Sequence, residues 1–588
     1  MVRHIRWQVV LIFVSVVLLG GLMVYLAEAY SIEHEPAPGG TYVEGMVGSP
    51  QYVNPLLCQY NDVDRDLCAL VFSGLLRFDE RGQLQPDLAE SWEVSPDGLV
   101  YTFRLRPNAR WHDNRPVTAD DVIYTIKLLQ DPSFPGLQDV AALWRTVKAK
   151  EVNSLTVQLT LQEPYTPFLQ YVATGNFGVL PRHVLGEVKA ADLPALPFNR
   201  KPIGSGPFQV EQFGSGETGQ PQHVLLATFA GYYGRQPYIA KIDFKFYPDY
   251  PSMLAAYRAG EIQGLNKVPA DQLATVRDTP SLNLYTAPMA GYTMIFLNQG
   301  DPALPFFQDQ SVRQALRLSL DRRQIVEEVL HGQGIIADSP MIPGMWTYAA
   351  DLPPLVPNRD RARQLLNEAG WRYPVAQPAQ QPARDKGDDI SIRPTPVVGP
   401  DNTPIRVKDG VPISFTLYTN NNPLQVALAG AVAKQWQEIG VQASVVPVQT
   451  GLHSNYLEPR SYQAALIDVQ LPSDPDLYPF WHETQADPPG QNYSQFRDRD
   501  VSEVLEQARR TNNQAQRVTL YHKFQEMFRE KTPGILLYYP VYNYGISEKV
   551  RDVQIGPMAV SSDRFRTLPA WYVITRRVIQ NRAPVESP

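Results

Sequence analysis

Residues 85–122 read QPDLAESWEVSPDGLVYTFRLRPNARWHDNRPVTADDV, and this stretch decides the fold class. Its centre, 92–106, reads as a β-hairpin: Pro96-Asp97-Gly98 supplies the turn, and Tyr101, Phe103 and Leu105 alternate on one face. Thr118-Ala119-Asp120-Asp121 then caps a helix predicted through Leu129. A hairpin followed by a capped helix marks a mixed α/β chain, and the mixture continues in both directions. On the N-terminal side a strand begins at Thr41-Tyr42-Val43 and a helix is expected over 62–76. Downstream, 153–161 alternates strictly as a strand, 248–262 holds a helix ended by Gly260, and 292–297 (YTMIFL) is an apolar strand. Val312, Ala315, Leu316 and Leu320 follow helical spacing. Asp321 with Gln324 forms a capping box for a helix that stops at His331-Gly332, and Gly370 ends another over 361–369. Residues 413–418, 424–439 and 441–448 make a βαβ-like unit. Helices over 501–510, capped by Asp500/Glu503, and 514–530 lead to the strand 535–541. No internal repeat is visible.

The chain has 588 residues, about four units at roughly 150 residues each. Hydrophobic residues at 44% and charged residues at 19% allow a large core. Lys+Arg 53 against Asp+Glu 60 gives a net charge of −7, which argues against a nucleic-acid partner, since phosphate neutralisation needs a cationic face. With 53 Pro, 30 Tyr and 9 Trp the chain is rich in loops and in aromatics able to line a cleft. Two cysteines exclude a disulfide framework and a four-thiolate metal site. Residues 374–412 hold eight prolines and neither leucine nor an aromatic residue, the composition of an inserted loop.

At the N-terminus Arg3, His4 and Arg6 precede an uncharged run, 7–27, whose polar side chains are Gln8 and Ser15. About twenty helical residues span a bilayer core, and the basic flank stays in the cytoplasm, so the body is exported. The run is either an uncleaved anchor or a signal peptide cut near Ala27-Glu28-Ala29. Residues 31–40 read as a polar tether. Export places Cys58 and Cys68 in an oxidising compartment, where a disulfide is expected and two buried thiols are the alternative.

No catalytic pattern accompanies this plan. The nine His show no HxxH, HxH or HExxH spacing, so no metal site is expected; one assembled from distant His453 and His482 is the remaining option. Asp62-Val-Asp64-Arg-Asp66 opens like a calcium loop but has Leu67 for the turn glycine and Ser73 for the bidentate Glu. Residues 214–219 (GSGETG) lack the phosphate-loop lysine and read as a hairpin turn. Neither G-x-S-x-G nor S-x-x-K occurs. No enzymatic activity and no cofactor are expected.

Four stretches together carry a resemblance. They are 85–106; 111–122 (WHDNRPVTADDV); Pro202-Ile203-Gly204-Ser205-Gly206-Pro207-Phe208; and 309–322, with Val312-Arg313-Gln314-Ala315-Leu316 and Asp321-Arg322. In them the chain resembles the extracytoplasmic solute-binding proteins of ABC importers, family 5, the peptide/nickel group. The resemblance implies a two-lobed periplasmic-binding-protein (type II-like) α/β fold with an extra domain, here behind an N-terminal transmembrane helix over 1–30. Residues 31–75, 200–290 and 530–575 would form lobe I, 76–199 the extra domain, and 291–529 lobe II with the 374–412 insert. It implies a receptor, anchored outside the cytoplasmic membrane, that closes on a peptide or oligosaccharide and hands it to permease subunits. A sensory module and a carboxylate-dependent hydrolase are the readings from other classes.

The ligand would lie between the lobes. Candidates that contact it are Tyr418, Asn420 and Asn421 after the strand ISFTLY; Asp474, Asp476, Tyr478 and Trp481 in DPDLYPFWH; Asn492 and Tyr493; and Tyr52 with Asn54. Amides, phenols and an indole hydrogen-bond polar ligands and stack on flat ones. The chain departs from the family twice. Peptide-binding members often carry an Asp about three positions before the D-P pair, as partner for the ligand's amino terminus, and here Leu471 stands there. Gln263 replaces an Asp after Gly260-Glu261-Ile262, affecting only a turn. A buried ammonium without a counter-charge is costly, so free α-amino recognition is in doubt.

Overall fold

The structure, a computed structural model, describes residues 13–21, 30–175, 177–216, 221–374, 404–472, 474 and 476–581. Its frame is two mixed sheets. The first has seven strands in the order Leu282–Pro288, Val541–Ser547, Gly264–Leu265, Thr41–Val47, Lys241–Tyr247, Pro221–Thr228 and Phe208–Ser215. The second has six, in the order Ile335–Ile336, Gly534–Tyr539, Gly291–Leu297, Ala464–Gln470, Ser414–Asn420 and Gln442–Val448. The chain passes between them twice within the described residues, from Pro288 to Gly291 and from Tyr539 to Val541.

The central strand Gly291–Leu297 is buried along its whole length. Tyr292, Met294 and Phe296 enter one hydrophobic cluster; Ile295 and Leu297 enter the cluster on the opposite face. A strand covered on both faces has no polar side to show, which explains a run that is apolar except for Thr293, whose hydroxyl bonds Asp468. Ser414–Asn420 runs parallel to Gln442–Val448 across the helix Pro423–Gln437, the expected βαβ unit.

The opening motif folds as read. Ala89–Val94 and Val100–Leu105 pair antiparallel with Trp92 opposite Phe103, and Thr118 caps Ala119–Gln130 in a capping box with Asp121. The hairpin is completed by Thr156–Thr160 and Lys148–Asn153 into a four-stranded sheet. The next two motifs lock to each other. The His112 amide donates to Gly204 O at 2.9 Å, the Gly204 amide donates to His112 Nδ1 at 3.1 Å, and His112 Nε2 lies 3.1 Å from Gly206 O. Nδ1 accepts, so Nε2 carries the proton. Burial pushes this imidazole down to about 4, which suits the neutral tautomer that the bonds require.

Several expectations are corrected. The helix predicted over 62–76 is Asp62–Val71, capped by Asn61; Val71 O is taken by the Gly206 amide at 2.9 Å, and the chain leaves the helix there. Asp498, not Asp500, caps Arg499–Arg510 through a bond from the Val501 amide. The tether over 31–40 belongs instead to a strand, Tyr30–Ala37, paired antiparallel with Ile574–Asn581, a partner more than 500 positions away that local composition cannot reveal. Of the proline-rich stretch, 375–403 lies outside the described residues. Its C-terminal end is packed: Arg406, 2% exposed, donates to Ile439 O, Asn367 Oδ1 and Trp371 O. A guanidinium that meets three acceptors anchors the segment beside the buried Ile405.

Cys58 and Cys68, expected to bond, are buried free thiols. Burial raises the Cys68 thiol well above its ordinary value, with the Cys58 thiol beside it adding to the shift. The two are neighbours, as the spacing suggested. Cys58 Sγ, however, points to Pro55 O at 3.7 Å. Within the expected membrane helix only 13–21 are described; they are helical, and the remainder lies outside the described residues. Among the described residues no helix is long and apolar enough to cross a membrane.

Candidate ligand-binding cleft

Between the helical layer that follows the hairpin and the C-terminal ends of the second sheet's strands lie two adjoining cavities. The larger, about 560 Å³, is walled by Leu129, Phe134, Val140, Trp144 and Phe177 on one side and by Gln470, Leu471 and Pro472 on the other. The second, about 460 Å³, is bounded by Leu161, Pro164 and Tyr165 and, opposite, by Tyr478, Glu506, Arg509 and Arg510. Tyr171 lines both. A further cavity of about 390 Å³, around Asp87, Tyr232 and Arg566, has no wall from the second sheet's side of the molecule.

Among the described residues the gap is bridged by few bonds. The Asp474 amide donates to Gln170 Oε1 at 3.2 Å, and Thr166 Oγ1 lies 3.3 Å from Thr511 O and 3.1 Å from Asn512 Oδ1. The Arg509 guanidinium lies over two rings, 4.8 Å from the centre of Tyr165 and 4.3 Å from that of Tyr478. Such contacts exist only while the two sides are together.

The charges at the gap are paired with one another. Arg517 holds Asp474 in a bidentate pair at 2.7 and 2.9 Å, both side chains buried. Burial lowers the Arg517 affinity for its proton, but the Asp474 carboxylate outweighs it and the guanidinium stays charged. Arg509 Nε meets Asp476 Oδ2 at 3.1 Å. Burial pushes Asp476 up to about 6, with Arg509 pulling it back. The Tyr165 and Tyr171 phenols are raised by burial as well.

The structure divides the candidates read from sequence. Tyr478 reaches the second cavity and stacks on His482, ring centres 4.0 Å apart. Asn420 and Asn421 are exposed at the end of their strand, and Tyr418 is half-buried against Tyr456. Asp474 and Asp476 lie at the gap with their carboxylates already in ion pairs. Other candidates belong to the packing. Trp481 is fully buried against Phe296 and Phe528. Asn492 spends its amide on His482 O, Phe496 O and the Phe496 amide. Tyr493, 7% exposed, meets His453 Nε2 at 2.6 Å and carries Arg460 over its ring. Asn54 bonds Asn199 and the Leu56 amide, and Tyr52 packs on the hydrophobic cluster that contains Leu56, Trp144 and Phe208 while its amide donates to Asp64. The two His proposed for a distant metal site are each bonded within the protein, to Tyr493 and to Thr484 and Glu506. Among the described residues no group of three or more His, Cys, Asp and Glu is placed to hold a metal ion.

Sequence reading missed Tyr165, Gln170, Tyr171, Arg509 and Arg517. The segment YTPFLQYV, 165–172, carried a signal in its paired tyrosines. The arginines look like ordinary helix-surface charges until the fold sets them opposite carboxylates.

Known proteins resemble this chain over most of its length. The family profile of bacterial extracellular solute-binding proteins, family 5 Middle, matches residues 83–488. The oligopeptide-binding protein AppA of Bacillus subtilis is 29% identical over 532 residues, 89% of this chain and 90% of that protein. The dipeptide-binding protein of Escherichia coli is 26% identical over 530 residues, 87% of this chain and 91% of its own. The solved structure of AppA in complex with a nonapeptide superposes with a TM-score of 0.61 at 27% identity, covering 92% of this chain and all of that one. With a mixed α/β, periplasmic-binding-protein-like fold and a family match across most of its length, the chain belongs to the bacterial extracellular solute-binding proteins, family 5.

Proposed function

We propose that this protein is an extracytoplasmic receptor, tethered to the cytoplasmic membrane by its apolar N-terminal run, that captures a peptide by closure of two lobes and delivers it to the permease of an ABC importer. Lobe I comprises 31–75, 200–290 and 530–575, with 76–199 as an extra domain, and 291–529 is lobe II. The observation that carries this reading is the gap itself. It holds two cavities of about 560 and 460 Å³, is bridged by a handful of hydrogen bonds, and is spanned by short chain crossings that can act as hinges. The names of the relatives, an oligopeptide-binding and a dipeptide-binding protein, and a neighbour solved with a nonapeptide supply the ligand class.

The mechanism is a shift of population. A ligand that touches both walls only when they meet favours the closed form by its differential affinity and by nothing more. Moving the equilibrium from 1:99 to 99:1 takes about 5.5 kcal/mol. Closure also removes water, which strengthens each matched hydrogen bond and penalises each unmatched one. Tyr165, Tyr171, Tyr478 and the exposed amides Asn420 and Asn421 are the contact residues of this proposal.

Native mass spectrometry of the purified full chain should reveal a co-purified peptide. In a thermal-shift panel, a true ligand at 100 times its Kd adds about 2.7 kcal/mol of stability. The same ligand should contract the molecule in small-angle scattering. Binding of oligosaccharides alone would replace the cargo and keep the clamp; a panel without any hit, together with an unchanging radius, would end both.

A further inference from the structure

The larger cavity has a chemistry of its own. Among the described residues, neither a carboxylate nor a basic group lines it. Leu129, Phe134, Trp144 and Phe177 are buried in its wall, and Leu471 closes it from the opposite side. Its polar contributions are the Tyr171 phenol and three amides. Two of those amides are engaged: Gln59 donates to Pro55 O at 3.1 Å, and Gln170 accepts from the Asp474 amide. Just past this wall in the chain, Asp474 and Asp476 are held by Arg517 and Arg509. Beyond Tyr171 the environment changes, because the second cavity is walled by Glu163, Glu506, Arg509 and Arg510.

A ligand running past Tyr171 therefore passes from an uncharged chamber into one that carries both signs. An ammonium or carboxylate in the first chamber would lose its water and find no opposite charge. An apolar group there gains in proportion to the area it hides from water. A chamber of this size is within the range of small-ligand sites and holds a large side chain with room to spare.

We infer that the larger cavity is a specificity pocket for a bulky aliphatic or aromatic side chain of the bound peptide, and that the peptide's charged termini lie outside it. The inference rests on the peptide-binding reading above and narrows it to a cargo class. Selection acts on one apolar residue, and recognition does not depend on a free amino terminus at this end of the cleft.

Isothermal titration calorimetry of the full chain tests this with alanine-based pentapeptides, each made with a free and an acetylated amino terminus. Phe, Leu, Asp or Lys is placed at each position in turn. At one position Phe and Leu should bind at least tenfold more tightly than Asp or Lys, and acetylation should change affinity by less than threefold. Leu137→Asp provides the complement. Leu137 lines the cavity, is 39% exposed, and is the N-cap of the helix Gln138–Thr146, where Asp is favoured, so the variant should fold. It should raise the relative affinity of the Lys peptide at that same position severalfold. Peptides that bind equally well with Phe, Asp or Lys at every position overturn the inference and leave peptide binding standing. A set in which no peptide binds in either form overturns the inference together with the reading beneath it.

Discussion

Trp481 lies stacked on Phe296 with ring centres 5.9 Å apart, and Phe528 meets it edge-on at 4.9 Å. As a residue type in a Pro-rich loop it resembled a stacking platform, yet the fold encloses it completely. Trp481→Ala should therefore lower stability by about 3–5 kcal/mol, the ordinary result of emptying a core site of that size. Urea unfolding at 25 °C measures it; a loss below about 1 kcal/mol would return the indole to the cleft. The same lesson applies to Asn492 and Tyr493, whose polar atoms looked available in sequence and are spent on backbone and on His453. A side chain's type tells which bonds it can make, and only its neighbours decide whether those bonds are already made. Leu471 is the opposite case. Its departure from the family pattern was legible in the sequence, and it lies where an uncharged residue matters, on the wall of an uncharged cavity.

Elements were the most legible level. The hairpin, the capped helix after it and the βαβ unit follow from turn chemistry, capping and alternation within a dozen residues, and all three are present. Their ends were less legible where a distant segment interferes. Asp62–Val71 stops five residues early because the turn 204–206 docks on its last carbonyls. A Cβ at position 204 would lie 1.9 Å from Val71 O, and one at 206 would lie 2.4 Å from Leu70 O. Both glycines are thus required by space and not by an unusual backbone angle. Gly204→Ala should cost several kcal/mol by forcing the turn off the helix and loosening its bonds to His112, at or above the usual 1–3 kcal/mol of overpacking. Melting temperature reports the outcome, and a variant that melts within 2 °C of the parent would contradict the close approach.

At the scale of the whole molecule, the two walls of the gap are bridged by contacts such as Thr166 Oγ1 with Thr511 O and Asn512 Oδ1. Thr166→Val keeps the shape and removes the hydroxyl. A buried hydrogen bond is worth about 1 kcal/mol, so peptide affinity should fall roughly fivefold through a less populated closed form. Calorimetry beside scattering of the ligand-free protein checks this, and an unchanged affinity would mean that the contact does not bias closure. Residue order alone established the mixed α/β class, the family motifs, the apolar N-terminal run and the lack of a recognisable catalytic pattern, because each of these is written in short-range pattern and composition. The pairing of Tyr30–Ala37 with Ile574–Asn581, the meeting of Asp474 with Arg517, the free thiols and the uncharged chamber were settled only by the tertiary structure. These depend on residues from ten to more than five hundred positions apart coming together, and burial and electrostatic pairing act on distance in space, which no local pattern encodes.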